Sequence, residues 1–126
     1  MTNNPDRPLH LRIALENDIA IGPGKADLLE GIRDTGSIAA AGRQMGMSYK
    51  RAWSLIEAMN TAFSQPVIET ARGGSARGGA RLTPTGETVL ATYRHMMRAA
   101  ESAIAPDVEI LQSLLDPDQR KRENFD

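Results

Sequence analysis

The chain has little of what would indicate a catalytic, metal-binding or membrane protein. It contains no cysteine, which excludes disulfides and thiolate metal sites. Its two histidines, His10 and His95, lie far apart without the acidic or thiol spacing of a metal site. No apolar run approaches the roughly 18 residues of a membrane span, and the first residues do not read as a signal peptide. We therefore expect a cytoplasmic protein that needs no metal or cofactor and is not an enzyme.

The charge distribution is more informative than the net charge. The 126 residues, enough for one domain, carry a net charge of only -1. Residues 40–100, however, hold eight basic and three acidic residues, a net +5, whereas residues 101–126 hold three basic and seven acidic ones, a net -4. Because salt screens charges beyond about 8–10 Å, local charge decides where phosphate can dock. The basic middle indicates a nucleic-acid surface, although a chance clustering of surface charge remains an equally good interpretation.

The N-terminal third predicts a mobile arm, a small hairpin and a first helix. Residues 1–8 are rich in Asn, Pro and Asp and predict the flexible arm. Partial alternation from Leu9 predicts a half-buried strand, with a turn at Asn17-Asp18 and a short return strand over residues 19–21. A helix follows over about residues 25–34, and Gly36 can end it in a left-handed cap.

The segment Ser37–Asn60 has the pattern of a helix-turn-helix. Ser37 is a natural N-cap for a helix over residues 38–45, which consists largely of small residues and can be crossed closely by another helix. Gly46 permits a tight turn, and Ser48 can cap a third helix that runs to about Phe63. The sequence therefore predicts two closely packed helices joined by a short turn.

The third helix presents different residues on its two faces. Ala52, Leu55, Ile56 and Met59 recur at the spacing of a buried face, which leaves Lys50, Ser54 and Glu57 outward, with Arg51 and Trp53 beside them. Such a helix fits the major groove, where Lys50 and Arg51 can bond guanine or phosphate. The structural alternative is a solvated helix of an ordinary small α-bundle.

A basic, glycine-rich hairpin is predicted next. Residues 66–71 and 80–82 predict two strands, separated by a loop with glycines at positions 73, 74, 78 and 79. Arg72, Arg77 and Arg81 can reach phosphate or a narrow minor groove. We call residues 72–79 the wing; a floppy solvent loop is its alternative interpretation.

The C-terminal part predicts a long helix, a break and a tail. Thr83-Pro84 starts a fourth helix over about residues 83–105, and Pro106 is expected to break or kink it. A short terminal helix can follow to residue 115, and residues 116–126 predict a disordered tail. One side of the fourth helix is apolar: Val89, Leu90, Tyr93, Met96, Met97, Ala100 and Ile104.

The motifs together resemble a known family. SYKRAW, EAMN and RGGSARGGARLT are similar to the DNA-binding domain of the molybdate-responsive ModE regulators. GSIAAAGRQMGMS and RLTPTGE more distantly resemble the N-terminal domain of LysR-type regulators. The resemblance covers about residues 9–100. It implies a mostly α winged helix-turn-helix with a small β component, whose long fourth helix pairs with its copy. It also assigns recognition to Ser48, Tyr49, Lys50, Arg51 and Ser54, and the wing role to residues 72–79, which include Gly73, Gly74 and Ser75.

We therefore expect a homodimeric regulator that binds double-stranded DNA, with an inverted repeat as its site. The alternative is an interaction module that pairs with a full-length regulator and modulates it, which the apolar side of the fourth helix would serve. ModE regulators typically continue into molybdate-binding domains, and this sequence ends before that point. We accordingly expect no molybdate binding by this chain.

Overall fold

The structure, a computed structural model, describes residues 9–16, 18–70 and 79–118. Within these ranges the chain forms four helices and two antiparallel two-stranded sheets, which confirms the mostly α class with a small β component. The elements are β1 (Ile13–Ala14), β2 (Ala20–Ile21), α1 (Pro23–Thr35), α2 (Ile38–Gln44), α3 (Tyr49–Ala62), β3 (Ile68–Thr70), β4 (Ala80–Leu82) and α4 (Pro84–Ser113). None of the helices in the described ranges combines the length and the apolar character that crossing a bilayer requires.

The N-terminal hairpin lies where the alternation predicts it. Ile13 pairs with Ile21, and Asp18 in the turn has a φ of 66°. The strands have two residues each, shorter than predicted. The Tyr93 hydroxyl of α4 donates to the Leu11 carbonyl over 2.6 Å, which ties the segment before β1 to the last helix.

Helix α1 starts two residues earlier than predicted and ends as predicted. Pro23 occupies the first turn, where its missing N–H costs no helical hydrogen bond. At the other end Gly36 has a φ of 71°, and its N–H donates to the Ile32 carbonyl. Because this conformation is left-handed, glycine is favoured there.

The helices α1, α2 and α3 surround one core and approach each other through small residues. A Cβ placed on Gly31 of α1 would lie 3.0 Å from the Ala41 Cβ of α2. A Cβ on Gly42 would lie 3.4 Å from the Ala52 Cβ of α3, an ordinary contact. The tightest of these contacts therefore joins α2 to α1 at Ala41, whereas the expected crossing of α2 and α3 at Gly42 leaves room for alanine.

A hydrogen-bonded joint connects the end of the hairpin to α4. The Thr83 hydroxyl donates to the Pro66 carbonyl over 2.6 Å and accepts from the Gly86 N–H, which caps the helix. The Thr83 N–H donates to the Val67 carbonyl. The backbones are so close at this point that a Cβ on Gly86 would lie 2.1 Å from the Val67 oxygen.

Two predictions about the C-terminal part are wrong: α4 does not end near residue 105, and residues 108–113, expected in a separate short helix, belong to α4. The helix continues through Pro106 to Ser113. Proline removes the hydrogen bond that the Ser102 carbonyl would otherwise accept. Both Ser102 and Pro106 are exposed, so water can satisfy that carbonyl. The predicted arm (residues 1–8) and residues 119–126 of the predicted tail lie outside the described residues.

We expect Gly86→Ala to destabilise the domain by about 1–3 kcal/mol, because the new methyl overlaps the Val67 carbonyl and must push α4 from β3. Urea unfolding followed by circular dichroism would measure this. Gly24→Ala is the matched control, since a Cβ there meets nothing within 4 Å and helix propensity favours alanine. Equal stability of the two variants would contradict the tight contact.

Candidate nucleic-acid interface

Serine caps hold the two helices of the helix-turn-helix in place. The Ser37 hydroxyl accepts from the Ala40 N–H over 3.0 Å, and the Ser48 hydroxyl accepts from the Arg51 N–H over 3.0 Å. Gly46 between the helices has a φ of 71°. Both predicted caps and the predicted turn are thus confirmed. The Ser48 hydroxyl is exposed and still has a proton to donate, so the cap leaves it able to bind an acceptor.

The outer face of α3 is exposed and cationic at its N-terminal end. Lys50, Arg51, Ser54 and Glu57 are exposed, while Ala52, Ile56 and Met59 are buried. Leu55, predicted as buried, is half-buried, as is Trp53. The positive side of the helix is therefore turned to solvent.

Tyr49 begins α3 beside this cationic end. Its side chain is 56% exposed, and its ring lies 6.3 Å from that of Trp53, centroid to centroid, at an interplanar angle of 77°. The pair spans one helical turn, and Trp53 packs against the core. An aromatic ring thus stands next to Lys50 and Arg51 on the same exposed end.

The hairpin that carries the wing has a defined register. Ile68 pairs with Leu82, Glu69 with Arg81 and Thr70 with Ala80. Arg81 is exposed, and its guanidinium forms an ion pair of 2.6 Å with Glu69. A phosphate would compete with that exposed pair, whose own contribution is small. The other predicted wing residues, Arg72, Gly73, Gly74, Ser75 and Arg77, lie outside the described residues.

Asn60 has a positioning role that the sequence analysis did not assign. Its side-chain oxygen accepts from the backbone N–H groups of Val67 (2.8 Å) and Ile68 (3.2 Å). Its amide nitrogen donates to the Ile68 carbonyl over 3.3 Å. One side chain of α3 therefore anchors the start of the hairpin. The available signal was its spacing of four residues from buried Ile56, which turns a polar side chain inward.

The structure corrects the predicted dimerisation face at three positions. Leu90, Tyr93 and Met97 are buried in the core of the chain itself, because α4 packs over α1. Their side chains are therefore not on a free surface. Val89, Met96, Ala100 and Ile104 are half-buried.

An ion-pair network fixes α4 against α1 on one flank. The Arg94 guanidinium lies 2.7 Å from Asp27 and 2.8 Å from Glu30. Burial by itself lowers the pKa of Arg94, but hydrogen bonds and charge interactions with the two carboxylates outweigh it and raise that pKa above its usual value. The orientation of α4 is thereby held by charge as well as by apolar packing.

The apolar side of α4 continues past Met97, the last buried residue of the helix. Ile104, Val108 and Leu111 follow one another at spacings of four and three residues, so they extend the line of Tyr93 and Met97. Leu115 lies two residues beyond the end of α4. We call these four residues the apolar stripe. Leu111 is 65% exposed and Leu115 47% exposed, so the chain leaves the outer end of the stripe uncovered.

No cluster of three potential metal ligands occurs among residues 9–16, 18–70 and 79–118. No protein-family model matches the chain.

Curated relatives and solved structures do match. The chain is 49% identical over 73 residues to the molybdenum-pterin-binding protein MopB of Rhodobacter capsulatus, which covers 58% of this chain and 27% of MopB. It is 39% identical over 83 residues to the transcriptional regulator ModE of Yersinia pestis, covering 66% of this chain and 32% of that protein. The chain thus spans about a third of the length of these relatives.

Among solved structures, the DNA-binding domain of CbnR in complex with DNA matches with a TM-score of 0.55 and 16% identity, over 70% of this chain and 95% of that domain. At that identity the likeness shows the fold alone, which is the winged-helix domain of LysR-type regulators. The sequence matches make this winged helix ModE-like, as the motifs imply.

We expect Asn60→Ala to lower the free energy of unfolding by about 1–3 kcal/mol, because backbone groups of Val67 and Ile68 lose their partners. Chemical unfolding would measure the loss. Thr61→Ala, at an exposed position one residue further along α3, is the control for helix propensity. A loss no larger than that of the control would mean that Asn60 does not anchor the hairpin.

Proposed function

We propose that this chain, a ModE-like winged-helix domain, is a sequence-specific DNA-binding transcription regulator that acts as a dimer. The observation that carries the proposal is the exposed, cationic N-terminal end of α3, held in place by a capped turn. The ModE-type relatives, named as transcriptional regulators, support it. MopB is named for molybdenum-pterin binding; the proposal for this chain concerns DNA only.

In this proposal α3 enters the major groove with its N-terminal end nearest the bases. Lys50 and Arg51 bond guanine acceptors or phosphates, and the Ser48 and Ser54 hydroxyls supply further hydrogen bonds. The wing, with Arg72 and Arg77, lies on the backbone or in the minor groove beside it. The net +5 of residues 40–100 attracts the duplex, although the chain as a whole is nearly neutral.

In this proposal the dimer forms when the apolar stripe of one copy packs against the apolar stripe of a second copy. Apolar positions that alternate at intervals of four and three residues are typical of helices that pack side by side in coiled coils. The stripe takes the place of Leu90, Tyr93 and Met97 in the predicted dimerisation face, because these three side chains are already buried. Two copies related by a two-fold axis would read an inverted repeat, with half-sites separated by one or more helical turns.

The same stripe also favours the second candidate function, pairing with a longer regulator of the ModE type. Two measurements on the chain distinguish the two functions: selection of a DNA sequence and formation of a heterodimer. If it selects no DNA sequence but forms a heterodimer with a full-length relative in native mass spectrometry, it is an interaction module. If the chain selects a DNA sequence and forms no heterodimer, the result supports the DNA-binding regulator and refutes the interaction module.

We expect Lys50→Ala/Arg51→Ala to lose about 2–6 kcal/mol of binding to DNA selected from a random pool, because the two side chains supply the charged contacts to the duplex. Fluorescence anisotropy over a salt series would show a shallower salt dependence, by about one unit per lost phosphate contact. The control Arg12→Ala/Arg33→Ala removes the same charge from exposed positions outside α2, α3 and the β3–β4 hairpin that carries the wing. Equal losses in both double variants would refute the role of α3.

We expect Leu111→Asp to convert the dimer into a monomer, because a carboxylate placed in the stripe cannot be buried against a second copy. Sedimentation equilibrium would measure the change. Leu15→Asp makes the same substitution at an exposed leucine, 47% accessible, outside α4 and should leave the dimer intact. A Leu111→Asp chain that stays dimeric would place the interface elsewhere.

A further inference from the structure

Tyr49 is an apolar side chain exposed in the middle of a charged surface. Within the described residues, the large hydrophobic side chains that are exposed are Leu15, Tyr49, two in the last turn of α4 and two just beyond its end. Tyr49 is 56% exposed although it neighbours Lys50 and Arg51. Those cations account for contacts to guanine or phosphate, but the contact that the exposed ring would make in recognition is not yet specified.

Trp53 holds the Tyr49 ring in place. The two rings are in an edge-to-face arrangement, 6.3 Å apart and inclined by 77°. Trp53 itself is half-buried and packs on the core, so the tyrosine leans on a fixed support. A tyrosine side chain has two main torsions and loses little entropy when it makes a contact. The pair therefore presents an aromatic contact surface at the N-terminal end of α3.

We propose that Tyr49 is a specificity-determining residue that reads thymine, and that Trp53 is its positioning residue. This inference rests on the proposed function, in which the N-terminal end of α3 lies nearest the base edges. Thymine carries a C5-methyl group in the major groove, and an apolar side chain that covers this methyl selects thymine at that position. The face of the Tyr49 ring meets this methyl, while Lys50 and Arg51 bond polar base edges or phosphates beside it.

Deoxyuridine isolates the methyl group, because it pairs as thymine does and lacks only the methyl. Duplexes are first selected from a random pool with the wild-type chain, and each thymine is then replaced singly by deoxyuridine. Affinity for the wild type should fall about fourfold at one thymine per half-site, the equivalent of about 0.8 kcal/mol for one buried methyl. Tyr49→Ala should bind the thymine and deoxyuridine duplexes equally, whereas Tyr49→Phe should retain the discrimination.

Further variants separate this role from a general loss of affinity. Trp53→Leu keeps an apolar side chain on the core and removes the ring that supports Tyr49, so it should reduce the thymine preference toward that of Tyr49→Ala. Glu57→Ala, on the exposed face one turn further along, should keep the full preference. Circular dichroism checks that each variant is folded.

The inference is overturned if the wild type tolerates deoxyuridine at every position, or if Tyr49→Ala discriminates as the wild type does. It is likewise overturned if Tyr49→Phe no longer discriminates the thymine duplex from the deoxyuridine duplex, because the phenol hydroxyl and not the ring would then make the selective contact. A pool from which the wild type enriches no sequence refutes the proposed function itself, and this inference with it.

Discussion

Close approach of backbone at positions without bulky side chains is the constraint on which the fold depends. Gly31 faces Ala41 between α1 and α2, and a Cβ on Gly86 would overlap the Val67 carbonyl. At both places an element lies closer than a larger side chain would allow. These contacts set how closely α2 approaches α1 and how closely the start of α4 approaches the segment before β3.

A second set of contacts joins the recognition element to the rest of the domain through backbone groups. The short segment from Pro66 to Ile68 is bonded by Asn60 from α3 and by Thr83 from the start of α4. It thus links the last turn of α3, the first strand of the hairpin and the long helix. Three elements that would act on DNA or on a partner share one hydrogen-bonded segment, so their relative positions are coupled.

The features that could be predicted from the sequence are those that depend on near neighbours along the chain. Ser37, Gly46 and Ser48 act through groups within a few residues, and their roles were read correctly. The outer face of α3 followed from helical spacing. Arg72 and Arg77, by contrast, lie outside the described residues, so their assignment to the wing stays a prediction.

What could not be predicted depends on contacts between distant segments. Tyr93 and Leu111 lie on one line of α4 and have the same pattern, yet one is buried and the other exposed, because α1 covers only the first turns. The carbonyl that Pro106 leaves without a bond could be judged only once its exposure to water was known. Asn60 bonds residues seven and eight positions away, beyond the reach of helical spacing.

The continuity of α4 through Pro106 makes it a mechanical lever. From Met97, the last of its buried residues, to Ser113 the helix extends about 24 Å at 1.5 Å per residue. Over that length, a tilt of about 5° at the domain displaces the far end by about 2 Å. A small rotation of the domain would therefore displace a molecule bound at the outer end of α4 by a few ångströms, about the 2 Å given above. In a two-fold assembly, the same lever arm would convert slight flexing into a change in the distance between the two recognition helices.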